Sequence, residues 1–140
     1  MAVSKLNPYI NFKAQAKEAL EFYKSCLGGE VKMSTFKEGG MSHGPSSDDL
    51  IMHGQLDVPN GILLMCSDVP DDMSFQPGGN IQISISGDNK EELQGYWDKL
   101  TQGGKITMPY TTAPWGDTFG MFKDKFGIDW MINCSGDKQA

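Results

Sequence analysis

The chain is written twice, and this limits what it can fold into more than any other feature. His53-Gly54-Gln55-Leu56 followed by Gly61-Ile62-Leu63-Leu64-Met65 lies in one register over Phe119-Gly120-Met121-Phe122 followed by Gly127-Ile128-Asp129-Trp130-Met131. Gly54, Gly61, Ile62 and Met65 thereby meet the identical residues Gly120, Gly127, Ile128 and Met131. A second match, at a slightly larger offset, sets Gly28-Gly29-Glu30-Val31-Lys32-Met33 over Gly103-Gly104-Lys105-Ile106-Thr107-Met108. Two glycines, an isoleucine and a methionine held at fixed spacing mark an internal duplication, so one module must serve for both halves.

Each half parses in the same order. An alternating segment opens it, Asn7-Pro8-Tyr9-Ile10-Asn11-Phe12 in the first and Asn80-Ile81-Gln82-Ile83-Ser84-Ile85 in the second, and period-two apolar spacing predicts a strand with one buried face. A helix follows: Ala16, Ala19, Leu20, Tyr23 and Leu27 form one helical stripe before Gly28, and Leu93, Tyr96, Trp97 and Leu100 form another before Gly103. Asp88 or Asn89 can cap the second helix, with Glu91 or Glu92 placed to reach back. Three further strands are expected in each half, near 30–38, 49–58 and 61–67, then near 105–111, 118–124 and 128–134. The expected architecture is α+β: two βαβββ modules in tandem, forming a cupped, mostly antiparallel sheet with a helix per module. At 140 residues and 39% apolar content this fits a single domain over 1–140, with module 1 at about 5–68, a Pro/Asp/Gly-rich linker at 69–79 and module 2 at about 80–136.

Charge and cysteine usage narrow the function. A net charge of −6 argues against a nucleic-acid partner, which calls for clustered cations. The twelve basic residues are all lysine, so the planar fork with which arginine grips carboxylates and phosphates is missing. No stretch approaches the roughly 20 apolar residues of a membrane span, and Met1 to Leu6 has no signal-peptide character, so a cytoplasmic location is expected. Cys26, Cys66 and Cys134 lack CxxC spacing and neighbouring histidines and read as buried thiols.

The segments Glu18-Ala19-Leu20-Glu21-Phe22-Tyr23, Gly28-Gly29-Glu30-Val31, Ile51-Met52-His53-Gly54, Trp115-Gly116-Asp117-Thr118-Phe119-Gly120 and Asp124 to Cys134 together span almost the whole chain. In them the chain resembles the vicinal oxygen chelate superfamily, the glyoxalase and bleomycin-resistance group. Within it the resemblance is to the PhnB-like branch, also described as demethylubiquinone methyltransferase-like. The resemblance implies a small-molecule site on the concave side of the paired modules, and a homodimer. Metal-dependent members such as glyoxalase I place a histidine on each opening strand and a glutamate on each last strand, four residues after a glycine. Four residues after Gly61 and Gly127 stand Met65 and Met131, and the opening-strand windows hold Asn7, Pro8, Asn80 and Gln82. Thioethers and amides are poor ligands for hard divalent ions, so no metal ligand and no cofactor is assigned, and a divalent metal is the lesser expectation.

The remaining chemistry is sparse. His43 and His53 are the two histidines, the residue type suited to acid–base work near neutral pH. His53 shares a strand face with Gln55 and is the candidate catalytic base; a histidine simply hydrogen-bonded across the sheet fits the same pattern. Alternation puts Tyr9 and Asn11 on one face, and Gln82 and Ser84 on its counterpart. With His53, Gln55, Met65, Met131, Trp115 and Trp130 these form the expected ligand-binding set, suited to an uncharged, partly aromatic molecule. The alternative is a solvated polar face over ordinary core methionines. The stretch 39–48, which holds His43, reads as a hairpin tip or a lid. No phosphate loop, nucleophile elbow or HExxH is present, and methyl transfer would call for a cofactor-binding unit not seen in this length of chain.

Overall fold

The computed structural model describes residues 7–40, 44–45, 47–59, 61–70, 78 and 80–136. The first half runs β1 (Tyr9–Phe12), α1 (Ala16–Leu27), β2 (Glu30–Thr35), β3 (Ile51–Val58) and β4 (Ile62–Asp68). The second runs β5 (Ile83–Gly87), α2 (Lys90–Leu100), β6 (Lys105–Thr112), β7 (Thr118–Lys123) and β8 (Asp129–Cys134). Each is a βαβββ module and each makes its own four-stranded sheet, ordered β1-β4-β3-β2 and β5-β8-β7-β6. The opening strand pairs in parallel with the last, and the other neighbours are antiparallel. By their contacts the halves form two units, 1–77 and 78–140. The linker expected at 69–79 and His43 fall largely or wholly outside the described residues.

In the first unit α1 buries the expected stripe of Ala16, Ala19, Leu20, Tyr23 and Leu27. Its start is not capped by the preceding residue. The buried Asp68 at the end of β4 accepts the Ala16 N–H at 2.9 Å and the Ile51 N–H at 3.0 Å, tying the helix start and the β3 start to the last strand. In the second unit the helix follows the local rule. Asn89 accepts the Glu92 N–H at 3.0 Å, so of the two candidate caps Asn89 is the one used. Trp97 then stacks on Tyr110 (4.9 Å, 19°) and meets Phe122 edge-on (5.1 Å, 85°).

The repeated glycines have a steric reason. A side chain at Gly54 would collide with Leu20, and one at Gly120 would lie 2.7 Å from the Trp97 indole, so each marks where the helix presses on its sheet. At Gly29 and Gly104 a Cβ would meet the backbone carbonyls of Asp57 and Lys123, where β2 and β6 start against their neighbours.

The second opening strand starts later than alternation alone suggested, at Ile83 rather than Asn80. Tyr9 pairs with Met65 while Ser84 pairs with Met131, which makes Ser84 the counterpart of Tyr9. A slip of two residues preserves every side chain's face, so period-two patterning cannot detect it.

The collision at Gly104 is with backbone, which cannot swing aside, and Gly104 has no positive φ to confound the test. Gly104→Ala is expected to destabilise by about 2–3 kcal/mol. Gly127→Ala, in open space at φ 85°, should cost only about 1 kcal/mol, as read by urea denaturation of both variants.

Candidate functional site

Each helix covers one face of its own sheet, and alternation sends the intervening side chains to the other. In the first unit Leu56, Val58, Leu64 and Cys66 are buried, whereas His53, Gln55, Asp57 and Met65 between them are half-buried on the face away from α1. Tyr9 and Asn11 join them from β1, because Tyr9 lies beside Met65 and Asn11 beside Ser67. From β2, Ser34 stands opposite His53, Lys32 opposite Gln55 and Glu30 opposite Asp57.

This face carries a continuous hydrogen-bonded row. Tyr9 Oη lies 3.4 Å from His53 Nδ1, His53 Nε2 lies 3.2 Å from Gln55 Oε1, and Gln55 Nε2 donates to Asp57 Oδ2 at 2.9 Å. The Tyr9 and His53 rings are 5.9 Å apart at 46°. Ser67 Oγ donates to Asn11 Oδ1 at 3.3 Å alongside. Five residues named from the sequence, Tyr9, Asn11, His53, Gln55 and Met65, thus share one face of one sheet. Asp57, which ends the row, was missed, although its place two residues after Gln55 on a strand of period two was an available signal.

The corresponding face of the second unit has the same frame and different chemistry. Ser84 and Met121 flank Met131, Gln82 Nε2 approaches Met121 Sδ at 3.3 Å, and Lys123 pairs with Asp129 at 3.0 Å. Phe119 stands where His53 stands in the first unit, and Met121 where Gln55 stands.

Two expected lining residues lie elsewhere. Trp130 is buried on the α2 side of β8, stacked parallel to Phe122, with its Nε1–H donated to Asp124 Oδ2 at 2.8 Å. The reason is parity: Trp130 is one residue from Met131, so the two point to opposite faces. Trp115 is 75% exposed in the turn between β6 and β7 and belongs to neither sheet face. That turn is held by Asp117, which accepts the Gly136 N–H at 2.9 Å.

Asp124 and Asp68, the two buried acids among the described residues, build the framework. Asp124 Oδ1 accepts the Phe126 and Ile128 N–H groups at 2.8 and 3.1 Å, which closes the β7–β8 turn, while its other oxygen holds the Trp130 indole. The three cysteines form no disulfide and are buried. Burial, with Asp68 close by, pushes the Cys66 thiol up to about 12, so it is no nucleophile in the folded chain.

In metal-dependent members of the superfamily, the resemblance sets a glutamate at the positions of Met65 and Met131. Met65 and Met131, at the glutamate positions, are thioethers beside a phenol and a hydroxyl. Among the described residues no three His, Cys, Asp or Glu side chains converge as a metal-ligating group.

Two βαβββ modules, each a four-stranded mixed sheet with one helix, define the vicinal oxygen chelate fold of the glyoxalase and bleomycin-resistance proteins. Comparison with known proteins narrows the class. The chain belongs to the PhnB-like family described as 3-demethylubiquinone-9 3-methyltransferase, whose model matches residues 4–133. It is 27% identical over 139 residues to Protein YjdN of Escherichia coli strain K12, covering 91% of this chain and 93% of that protein. Its structure is similar to that of protein PA1353 from Pseudomonas aeruginosa, with TM-score 0.83, 34% identity and coverage of 96% and 100%. A putative 3-demethylubiquinone-9 3-methyltransferase, the PhnB protein of Bacillus cereus, gives TM-score 0.71 and 27% identity over 94% and 100%. A glyoxylase/bleomycin resistance protein/dioxygenase domain from Frankia sp. EAN1pec shares the fold at TM-score 0.63 and 15% identity, over 99% and 96%.

Two outcomes test this description of the buried groups. Iodoacetamide at about pH 8 should leave Cys66 unmodified in the native protein and label it in urea, as read by peptide mass spectrometry. Because the folded thiol lies above its ordinary value of 9.0, its contribution to stability is complete below that pH and is lost as pH rises towards about 12. Asp124→Ala should cost about 3 kcal/mol in urea denaturation, since it strands the buried Trp130 N–H and two backbone donors.

Proposed function

We propose that this chain is a small-molecule-binding protein of the glyoxalase and bleomycin-resistance type that works without the usual metal chelate. The observation that carries the reading is the row Tyr9-His53-Gln55-Asp57, laid beside Met65 on the face that α1 leaves uncovered. A phenol, an imidazole and an amide fixed by mutual hydrogen bonds give orientation, while the thioether and the Tyr9 ring give apolar contact. That mixture suits an uncharged, partly aromatic ligand. A homodimer is part of this reading and is checked by light scattering.

A second reading, a metal-free lyase or isomerase with His53 as base, has one specific support. Both ring nitrogens of His53 are engaged, Nε2 by Gln55 and Nδ1 by Tyr9, which is the base-plus-orienter arrangement of acid–base sites. Methyl transfer has no comparable arrangement in its favour among the described residues.

A panel of small apolar and aromatic compounds should contain molecules that raise the melting temperature. Ligand at a hundredfold its Kd adds about 2.7 kcal/mol, or several degrees for a chain of this size. Absence of any shift across the panel would remove the reading. Stoichiometric Ni, Zn, Mn or Fe in protein purified without chelator would overturn the assignment of Met65 and Met131 as non-ligands. For the catalytic alternative, His53→Ala should lower turnover of an identified substrate by at least about a hundredfold, and an unchanged rate would exclude His53 as the base.

A further inference from the structure

The hydrogen-bonded row has a direction, and donor–acceptor chemistry alone sets it. An ionised carboxylate only accepts, so the Gln55 atom 2.9 Å from Asp57 Oδ2 is the amide nitrogen. This turns the Gln55 carbonyl oxygen towards His53 Nε2 at 3.2 Å. A carbonyl oxygen also only accepts, so Nε2 carries the ring proton, and in a neutral imidazole the lone pair is then on Nδ1. The group facing Nδ1 at 3.4 Å is the Tyr9 hydroxyl, which is therefore the donor. Its single proton points inward, and its oxygen faces outward with lone pairs only, on a residue 48% exposed.

We propose that Tyr9 Oη is the ligand-selecting atom of this face. With His53 neutral, the site takes molecules that present an O–H or N–H, such as phenols, and disfavours those that present only lone pairs, such as the matching ethers. This deepens the ligand-binding reading above and rests on it. Protonation of His53 reverses the polarity. A solvent proton binds Nδ1, the new Nδ1–H donates to Tyr9 Oη, and the tyrosine proton turns outward to donate to an acceptor on the ligand. The row is thus a reader of hydrogen-bond polarity whose setting is the charge on His53.

The charged and titratable groups on this face are few. Asp57 follows on β3, Glu30 and Lys32 stand opposite Asp57 and Gln55 on β2, and Tyr9 is on β1. Ser34 is the residue directly opposite His53, and β4 supplies Leu63, Met65 and Ser67, none of which titrates. No carboxylate on this sheet is paired with His53 in the register, so its proton state is communicated through Tyr9 and Gln55.

Two measurements test this. Long-range proton–nitrogen correlation spectra read the imidazole tautomer, and because the chain has two histidines, His43→Gln leaves one set of signals to assign. The expected neutral form has a protonated Nε2 and a lone pair on Nδ1; an Nδ1–H tautomer would overturn the proposal. The second compares 2-naphthol with 2-methoxynaphthalene by calorimetry, at a pH where those spectra show His53 neutral and at one where they show it protonated. Wild type should prefer the naphthol by about tenfold when His53 is neutral, with the preference shrinking on protonation and falling to about unity in Tyr9→Phe. Equal binding of the two probes by wild type, or a preference that survives Tyr9→Phe, overturns selection by Tyr9 while leaving the ligand site standing. If neither probe binds, selection of phenols by Tyr9 is overturned whatever tautomer the spectra report, and the compound panel decides separately whether the face takes a ligand.

Discussion

In each unit a helix presses on its sheet where the third strand of the module has given up its side chain. Leu20 occupies the space that Gly54 leaves, and Trp97 the space that Gly120 leaves. Because side chains alternate, seating the helix there decides the face of every residue on the strand. Leu56 and Val58 follow Gly54 inward, and His53, Gln55 and Asp57 are sent to the other side together. The polar row is therefore a consequence of where the helix rests. Moving the seat by one residue would bury an imidazole, an amide and a carboxylate against leucine.

The two modules share this constraint and diverge in what surrounds it. Filling the seat with an indole instead of a leucine recruits Tyr110 and Phe122 as aromatic partners, so the second core is built of stacked and edge-on rings. The buried carboxylates sit at unrelated places in the two modules. Asp68 closes a helix start and a strand start, whereas Asp124 closes a hairpin and holds the Trp130 indole. Each satisfies several N–H groups, which is how a carboxylate is kept inside a small core. The buried acids Asp68 and Asp124 are thus occupied with the framework, and the acid that ends the polar row, Asp57, is half-buried on the face away from α1.

The family is shared over nearly the whole chain, while the chemistry of the first unit's face is set by a handful of side chains. The chain matches the family over residues 4–133, and the residues on this face are a phenol, an imidazole, an amide and a carboxylate beside the Met65 thioether. A frame that holds its glycines and exchanges its outward side chains is free to change ligand without changing fold, because the outward residues of a strand bear little of the packing.

The duplication, the βαβββ order, both helix stripes and the grouping of Tyr9, Asn11, His53, Gln55 and Met65 were legible in the sequence, because they depend on period and parity. Trp130 was misplaced although parity already opposed it to Met131, and the register of the second opening strand was misplaced, with Ser84 rather than Gln82 as the counterpart of Tyr9, because a two-residue slip leaves parity intact. The function of the repeated glycines as helix seats, the clasp of Asp68 across Ala16 and Ile51, and the continuity of the row through Asp57 needed the tertiary structure. Periodicity says which residues share a face, since that is a local property of the backbone. Which of them touch, and in which direction a proton is shared between them, is set by strand register and side-chain reach, and these exist only once distant parts of the chain have been brought together.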